Sequence, residues 1–485
     1  MNNKRASWST SFGFIMSAVG SAVGLGNIWG FPYKMGKSGG FAFLVIYILL
    51  SLTVGIIMMT SELAIGRKTA KSPPGAYRAL SEKFSFVGWL AVISPFLVVS
   101  FYTVLGAYCL QYMFLNVSHF IGLETAASGA QTFSQMLGRP EVTLVFTLFF
   151  IALCYFINSK GVSGGIESFN KVGMPALFVM LLVISVRSLT LPHAAEGLKY
   201  MFIPGYAVNA GFSQSNPSLI TILATAGSQV FFSLSVAMGV LITYGSYLSR
   251  EESLIKSSVI ISVCDTAVAL LAGLAIIPAA ISTGISQGIP VNEIELDGPR
   301  LLYATLQDVF NSMGYWGFLF GILFYLLIVI AASTSAISLI EVITASFTDR
   351  RIERRQKPQR QKTLALVCLS VCAISSVVAL DGLGTNGLWI PFLNSFGVIG
   401  SLNDSWLNFL IAISEGLLMP LGALIMSIMI AWKVKPKTLL TEIVPGGNSY
   451  FEKFYTFLIR FIAPAVILLV LLGQIDFVFG LGIFT

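Results

Sequence analysis

The chain has 485 residues, of which 55% are hydrophobic and only 11% are charged. A soluble domain carries about 25% charged residues, so the composition excludes an ordinary soluble protein and leaves no room for a soluble domain. All five cysteines fall within apolar stretches, which gives no indication of a disulfide framework or a metal site.

Eleven apolar segments are long enough to cross a bilayer, which takes about 20 residues of helix. The sequence therefore predicts an all-α polytopic membrane protein that forms a single transmembrane domain over residues 1–485. The predicted spans are 11–37, 40–66, 86–118, 142–158, 165–187, 218–247, 256–283, 315–348, 364–380, 396–432 and 454–481.

Basic residues are unequally divided between the two ends of these spans. If the N-terminus is cytoplasmic, only six of the 29 Lys and Arg residues lie outside: Lys34, Lys37, Arg139, Arg187, Lys199 and Arg300. The positive-inside rule then predicts a multi-pass protein of the cell inner (plasma) membrane with its C-terminus outside. This distribution explains the net charge of +7 without a nucleic-acid partner. The basic run 350–362 is compatible with binding anionic lipid, but a role in setting the topology is favoured.

Two spans contain small and polar residues where a membrane helix is least expected to break. Span 1 carries Gly20-Ser21-Ala22-Val23-Gly24-Leu25-Gly26-Asn27, and span 6 carries small and hydroxyl residues over 227–239. Unwound backbone is tolerated at membrane depth only where it is buried in protein or lines a polar cavity. A helix-packing face is the alternative for one such cluster. Two clusters at matching positions favour a transporter with a 5+5 inverted repeat and discontinuous spans 1 and 6. Repeat one covers about 11–187, repeat two about 218–432, and 454–481 is an extra span.

Asp265 lies about nine residues into span 7, roughly 14 Å along a helix and near the bilayer centre. A carboxylate at this depth needs a cationic partner, and no Lys or Arg lies at comparable depth. We therefore expect a bound Na⁺ held by oxygen atoms of Asp265, Asn27, Ser233 and backbone carbonyls; the alternative is an aspartic acid that its neighbours keep neutral. Hydroxyls in Ser333-Thr334-Ser335 would add a second, uncharged oxygen cage, although such hydroxyls more often bond to the preceding helical turn.

The first span is similar to a known family signature. Gly20–Asn27 followed by Ile28-Trp29-Gly30-Phe31-Pro32-Tyr33 resembles span 1 of the neurotransmitter:sodium symporter family, and the resemblance runs from Lys4 to about Trp432. Further matching segments are Ser61–Arg67, Phe231–Ser235, Gly245–Tyr247 and Thr334–Ser335. Eleven rather than twelve spans is similar to many bacterial members.

The resemblance implies two sodium sites and one amino-acid site. It places the first Na⁺ at Ala22, Asn27, Ser233 and Asp265, and the second at Gly20, Val23, Ala331, Thr334 and Ser335. It places the substrate at Ala22, Leu25, Gly26, Val98, Tyr102, Phe232, Ser233, Ser235, Met238 and Leu339. Half-helix N-termini suit the substrate carboxylate and C-terminal carbonyls suit its ammonium group.

The resemblance also implies a gate on the cytoplasmic side. Its residues are Arg5 and Asp349 as an ion pair, with Trp8, Ser246 and Tyr247 around them. Gly165 and Pro175 match a Gly-x9-Pro motif that lets span 5 unwind, since proline frees a helical carbonyl.

Two positions depart from the family pattern. The family usually has Arg where this chain has Gly30, and Asp404 lies too early to be the acidic partner, so we expect no ion pair across the outer vestibule. Ala269 lies one turn beyond Asp265, near where animal relatives bind chloride; Asp265 would supply that negative charge, so chloride is not expected to be required.

The sequence thus predicts a sodium-coupled symporter for neutral, mainly hydrophobic amino acids, working by alternating access in the lipid bilayer. A sodium-dependent amino-acid sensor without transport is the alternative, and a Na⁺ leak channel lacks a ring of pore charges. No nucleophile–base pair or phosphate loop indicates an enzyme. Neither the amino acid nor the oligomeric state is encoded in a recognisable motif.

Overall fold

The computed structural model describes residues 7–213, 217–294, 296, 298–388 and 405–484. Within these ranges the regular structure is entirely helical and contains no β-strand. The prediction of an all-α polytopic membrane protein is confirmed.

Span 1 is broken, as the glycine-rich segment predicts. It consists of Ser11–Ala22 and Gly26–Lys37, bent by 45° at Val23–Leu25. Thr10 caps the first half by accepting a hydrogen bond from the Gly13 backbone N–H. Val23 adopts an extended conformation that ends this half, so the break exposes backbone groups inside the protein.

Span 6 is broken as well. Its first half, Leu219–Ser233, is capped by Ser218, and its second half is Val240–Gly245. Ser235, Ala237 and Gly239 between them have positive φ angles of 54°, 63° and 68°. Such angles are incompatible with a continuous right-handed helix, so the chain leaves the helix here for about one and a half turns.

The other predicted spans correspond to long helical segments. They are span 2 at Phe41–Thr69, span 3 at Glu82–Phe120, span 4 at Pro140–Ser159, span 5 at Val162–Leu189, span 7 at Leu254–Ser286, span 8 at Tyr315–Glu353, span 9 at Arg360–Asp381, span 10 at Trp406–Val434 and span 11 at Ser449–Phe479. Several contain one turn of π-helix: Ser51–Gly55, Val162–Glu167, Ala412–Leu418, Met429–Val434 and Leu458–Ile462.

Among the described residues, nine helices are long and apolar enough to cross a membrane, or ten with the bent pair of span 1. The halves of span 6 are each too short to be counted. The start of the predicted tenth span, 396–404, lies outside the described residues. Eleven spans and the inverted repeat therefore stay predictions.

Short helices connect the spans. They are Pro73–Leu80, Gly129–Leu137, Ala194–Phe202, Tyr206–Asn209, Val291–Glu293, Gly298–Arg300, Leu301–Thr305, Leu306–Ser312 and Pro436–Ile443.

Spans 1 and 6 lie at the centre of the bundle. Residues 17–32 and 226–247 are buried. Spans 2, 5, 7, 8, 10 and 11 pack against them, and Tyr102 of span 3 reaches the break in span 1. Spans 4, 5, 9 and 11 expose more of their surface and form the periphery. Both helix breaks are therefore enclosed by protein, which is the condition for unwound backbone at membrane depth.

Candidate functional site

The break in span 1 is closed by side chains from spans 3, 6 and 8. The Leu25 N–H donates to the Tyr102 hydroxyl at 2.7 Å, and the Gln229 amide donates to the Gly26 carbonyl at 2.6 Å. A Cβ atom on Gly24 would lie 2.2 Å from the Tyr102 hydroxyl and 2.4 Å from Ser335 Oγ. Position 24 therefore has to be glycine for these groups to meet.

The break in span 6 is held by Glu62 of span 2. Glu62 is fully buried, and its Oε1 accepts a hydrogen bond from the Ala237 N–H at 2.7 Å. The other carboxylate oxygen, Oε2, has no hydrogen-bond partner. Glu62 thus stabilises the unwound segment rather than only bracing the end of a helix.

A cavity of about 20 Å³ lies between the two breaks. Its lining residues are Ser21, Ala22, Gly24, Gly26, Val98, Tyr102, Phe232, Ser235, Met238, Ser335 and Leu339. This volume is enough for about one water molecule, so the site is contracted and has no room for an amino acid. Eight of the ten predicted substrate residues are in this lining; the exceptions are Leu25, which reaches Tyr102 through its backbone, and Ser233, which points toward Asp265.

The sequence prediction omitted Ser21. Its hydroxyl lies 3.3 Å from Ser235 Oγ, and the Ser235 hydroxyl donates to the Ser21 carbonyl at 3.1 Å. These hydroxyls join those of Tyr102 and Ser335 as the polar side-chain groups of the cavity lining. The sequence signal that could have identified Ser21 is its position as a hydroxyl residue within the glycine-rich break of span 1.

Asp265 is the centre of a buried cluster of oxygen atoms. The Ser233 hydroxyl lies 2.8 and 2.9 Å from its two carboxylate oxygens. The Asn27 amide donates to Asp265 Oδ1 at 2.7 Å, and the Tyr47 hydroxyl donates to Oδ2 at 3.0 Å. All four residues are buried to 1% exposure or less. The structure therefore brings Asn27, Ser233 and Asp265 together, with Ala22 in the adjacent cavity wall.

Tyr47 of span 2 was not predicted. A single phenolic hydroxyl within an apolar run does not distinguish a site residue from an ordinary buried tyrosine. Among the described residues, no Lys, Arg or His forms an ion pair with Asp265. All side chains bonded to this carboxylate are neutral, which fits a site for a small cation with hard oxygen ligands.

A second group of oxygens surrounds Ser335 of span 8. Its hydroxyl lies 3.2 Å from the Gly20 carbonyl, 3.3 Å from that of Ser21 and 3.4 Å from that of Val23. One hydroxyl has one proton to donate, and the Ser21 carbonyl also accepts from Ser235, so the Gly20 and Val23 carbonyls compete for a single donor. This surplus of acceptors fits a bound monovalent cation.

Thr334 and Ala331 belong to the same turn of span 8, where the Thr334 hydroxyl donates to the Ala331 carbonyl at 2.8 Å. Asn170 of span 5 lies nearby and was not predicted. Its Oδ1 is buried without a partner, 2.4 Å from where a Cβ on Gly20 would be. This unused acceptor adds to the oxygen surplus around Gly20.

The expectation of a vestibule without an ion pair is wrong. Lys34 lies one turn beyond Gly30, and its Nζ is 3.2 Å from Glu415 Oε2 in span 10. Both side chains are largely buried, at 15% and 7% exposure. Lys34 Nζ also lies 5.8 Å from the centre of the Phe232 ring. The pair thus joins spans 1 and 10 above the residue that closes the cavity.

Gly30 itself faces Gln229, whose Oε1 would be 3.1 Å from a Cβ at position 30. This packing leaves little room for a long side chain at position 30. The basic partner of the ion pair is instead Lys34, one helical turn further along span 1. Asp404 lies outside the described residues.

The opposite end of the site contains an aromatic cluster. The Trp8 indole N–H donates to the Tyr244 carbonyl at 3.2 Å, and the Trp8 ring lies 6.3 Å from that of Tyr247. The Tyr247 hydroxyl donates to Glu341 at 2.9 Å, and Glu341 pairs with Arg360 at 2.6 Å. Trp8 and Tyr247 are therefore adjacent, and the sequence prediction lacked the Glu341–Arg360 pair.

The described residues include Asp349 and Ser246 of the predicted gate but not Arg5. Arg5 lies outside the described residues, so its pairing with Asp349 stays a prediction. Asp349 Oδ2 accepts a hydrogen bond from the Ser72 N–H at 2.9 Å. Ser246 follows the second half of span 6, and its hydroxyl donates to the Thr243 carbonyl at 2.6 Å.

Span 5 is helical through both motif positions. Gly165 lies in the π-helical turn Val162–Glu167 and Pro175 lies inside the following α-helix. Glu167, between them, was not predicted. Its carboxylate accepts hydrogen bonds from the Ser9 N–H at 2.8 Å and the Thr10 hydroxyl at 3.1 Å, so the start of span 1 is tied to the segment that the motif would unwind.

Three comparisons agree on the relatives of this chain. A model described as "Sodium:neurotransmitter symporter family" matches residues 5–129 and 123–479. The uncharacterized sodium-dependent transporter YhdH of Bacillus subtilis is 34% identical over 480 residues, covering 97% of this chain and 98% of the relative. The uncharacterized sodium-dependent transporter MJ1319 of Methanocaldococcus jannaschii is 33% identical over 391 residues, covering 79% and 76%. The crystal structure of MhsT in complex with L-phenylalanine matches with a TM-score of 0.81 and 33% identity, over 97% of this chain and all of that one.

Proposed function

Because the chain belongs to the sodium:neurotransmitter symporter family, we propose that it is a sodium-coupled symporter that imports neutral, mainly hydrophobic amino acids by alternating access. The carrying observation is the fully buried Asp265 carboxylate, whose hydrogen-bond partners in the described part of the chain are all neutral and which adjoins a small cavity between two broken helices. Binding of a cation there supplies the missing countercharge.

We assign two Na⁺ sites as co-substrate sites. The first uses the Ala22 carbonyl and the side chains of Asn27, Ser233 and Asp265. The second uses the carbonyls of Gly20, Val23 and Ala331 with the hydroxyls of Thr334 and Ser335. Support for the first is the charge of Asp265, and support for the second is the carbonyl surplus around Ser335.

The cavity supplies complementary partners for an amino-acid backbone. The Tyr102 hydroxyl and the N–H groups near Leu25 and Gly26 would bind the carboxylate, because the second half of span 1 starts there with its positive dipole end. The ammonium group would meet Ser235 and the carbonyls of Ala22, Phe232 and Ser233, where the first halves of spans 1 and 6 end.

The side-chain pocket is apolar and uncharged. Val98, Phe232, Met238 and Leu339 form its wall together with the Tyr102 ring. A charged side chain would be buried here unpaired, which costs several kcal/mol. The cavity has to expand to admit any amino acid, and the unbranched Met238 is the side chain best able to adapt. The similar structure of MhsT contains L-phenylalanine, which supports an amino-acid substrate of this class.

Alternating access requires a barrier on each side of the cavity. We assign Phe232 with the Lys34–Glu415 pair to the outer barrier, and Arg5, Trp8, Ser246, Tyr247 and Asp349 to the inner barrier. Gly165 and Pro175 would let span 5 unwind toward the cytoplasm, and Glu167 links that movement to the start of span 1. This orientation follows the positive-inside distribution. It places the protein in the cell inner (plasma) membrane with its N-terminus in the cytoplasm.

Uptake by purified protein in liposomes tests the proposal. With Na⁺ outside and K⁺ inside, labelled neutral amino acids should accumulate, and replacing external Na⁺ with K⁺ should abolish both uptake and binding. Asp265→Asn should lose Na⁺-dependent binding. Val263→Ala is the matched control, because this residue of the same helix is 49% exposed and lies away from the cluster. Amino-acid binding that is unchanged in K⁺ would rule out coupling, and Na⁺-dependent binding without uptake would favour the sensor.

A further inference from the structure

A trough separate from the central cavity lies between spans 3, 8 and 9. Its volume is about 600 Å³. Most of its lining is apolar, contributed by Val92, Phe96, Ile343, Val367 and neighbouring side chains. One end is lined by three arginines from the end of span 8. The trough therefore combines a long apolar floor with a concentrated positive charge.

The apolar part of the trough is on the surface of the bundle. Ile93 is 45% exposed, Phe347 40% and Leu366 56%. These residues belong to three different spans, so the exposed surface crosses helix boundaries and is continuous. Within a membrane such a surface is covered by lipid acyl chains.

The polar end carries Arg350, Arg351 and Arg354. The Arg350 guanidinium lies 5.1 Å from the centre of the Trp89 ring. Arg351 donates to the Lys357 carbonyl at 3.0 Å and to the Gln359 side chain at 3.2 Å. Among the described residues, none of the three arginines forms an ion pair with a carboxylate.

Two arginines near the trough, Arg78 and Arg360, are paired with carboxylates. Arg78 pairs with Glu353 at 3.4 Å and Arg360 pairs with Glu341 at 2.6 Å. Glu353 and Glu341 are thus engaged elsewhere, and the described lining of the trough contains no acidic side chain. Guanidinium groups bind phosphate through two parallel hydrogen bonds, so the trough end offers donors for an anionic phosphate and no acidic side chain for a cationic headgroup.

We propose that this trough binds one anionic phospholipid of the cytoplasmic leaflet. Its phosphate contacts the three arginines, and an acyl chain lies along the apolar floor between spans 3, 8 and 9. The proposal rests on the membrane orientation given under the proposed function. Trp89, whose ring lies beside Arg350, is a residue type that is enriched at membrane–water interfaces.

Native mass spectrometry of the full-length protein in detergent tests this site. Titration with dioleoyl phosphatidylglycerol should give one bound lipid in preference to dioleoyl phosphatidylcholine. Each basic group near a membrane surface contributes about fivefold in binding to anionic lipid, so Arg350→Gln/Arg351→Gln/Arg354→Gln should weaken phosphatidylglycerol binding by roughly a hundredfold.

The matched control removes the same amount of charge from the same basic segment, 350–362. Arg355, Lys357 and Lys362 do not line the trough, so their combined replacement by Gln should leave phosphatidylglycerol binding within about twofold of the parent. Equal losses in both triple variants would reduce the effect to general electrostatics and overturn the proposal. Phosphatidylcholine that binds as tightly as phosphatidylglycerol would also overturn it.

Two further measurements distinguish binding of a whole lipid from binding of a free phosphate. Leu366→Trp leaves the arginines in place but fills part of the exposed apolar wall, and should weaken phosphatidylglycerol about tenfold. Glycerol phosphate at the same concentration should not displace the lipid. Displacement by this soluble headgroup would show a phosphate site without a role for the trough. Sodium-dependent amino-acid binding, measured on each variant, separates failure of this proposal from failure of the proposed function and also reports folding.

Discussion

The Lys34–Glu415 ion pair makes a quantitative prediction about substrate release to the outside. Exposed ion pairs contribute about 0–1 kcal/mol, whereas removing one partner of a fully buried pair costs about 3–5 kcal/mol. With side chains that are 15% and 7% exposed, this pair should stabilise the closed outer barrier by about 2 kcal/mol, between those limits. That free energy corresponds to roughly a 30-fold change in the population of the closed state.

The perturbation is Lys34→Gln and Glu415→Gln, alone and together. Dissociation of a labelled amino acid from the purified protein in Na⁺ should be roughly 30-fold faster for each single variant. The double variant should be no faster than either single one, because both changes remove the same interaction. Lys37→Gln is the control; it removes the same charge from the same helix, but Lys37 lies over Phe477 rather than in the pair.

Either of two results would refute this reasoning. Release rates of both single variants that equal the parent rate would show that the pair does not close the vestibule. Effects that add in the double variant would show that the two residues act separately. Phe232→Ala should speed substrate release to the outside only moderately, because the Lys34–Glu415 pair remains as a second outer barrier above the cavity.

Three further predictions concern the central site. Transport should persist when chloride is replaced by gluconate, because Asp265 provides a fixed negative charge beside the first cation site; Asp265→Asn should abolish transport or create chloride dependence, and strict chloride dependence of the parent would contradict this. Lysine and glutamate should not compete with uptake of a neutral amino acid at millimolar concentrations, because the pocket wall has no countercharge; robust competition by either one would show a partner in the pocket. Gly24→Ala should abolish substrate binding, because the new Cβ would lie 2.2 Å from the Tyr102 hydroxyl. The control Gly164→Ala, with no heavy atom within 4 Å of its Cβ, should bind substrate as the parent does. A thermal-shift titration compares the two variants, and equal binding by both would show that the close approach of Gly24 to Tyr102 is not required.

The sequence by itself determined the membrane-protein class and the two broken spans, and it singled out Asp265, which the structure places beside Asn27 and Ser233. Each of these depends on a local conflict. Glycines and polar residues weaken a helix where lipid most requires one, and a carboxylate at mid-membrane depth needs an unusual environment. Such conflicts can be recognised without knowing which helices are neighbours.

Only the tertiary structure decided which distant side chains complete the site. Tyr47 and Glu62 look like ordinary residues of span 2, yet one donates to Asp265 and the other holds the span 6 break. A π-helical turn at Ser51–Gly55 separates them, so their spacing along span 2 shows neither which face each lies on nor which helices pack against it. Contacts between helices depend on packing of complementary surfaces, which one helix's sequence does not specify.

The outer ion pair illustrates the same limit most directly. Lys34 and Glu415 are 381 positions apart, and the substitution at Gly30 pointed to no ion pair at all. Glu415 lies in the π-helical turn Ala412–Leu418, which inserts an extra residue into the helical turn and rotates the side chains that follow. Helical periodicity assumes a constant turn, so it could not orient Glu415 toward span 1. The physical origin of the pair is therefore a local change of helix register combined with the packing of span 10 against the broken first span.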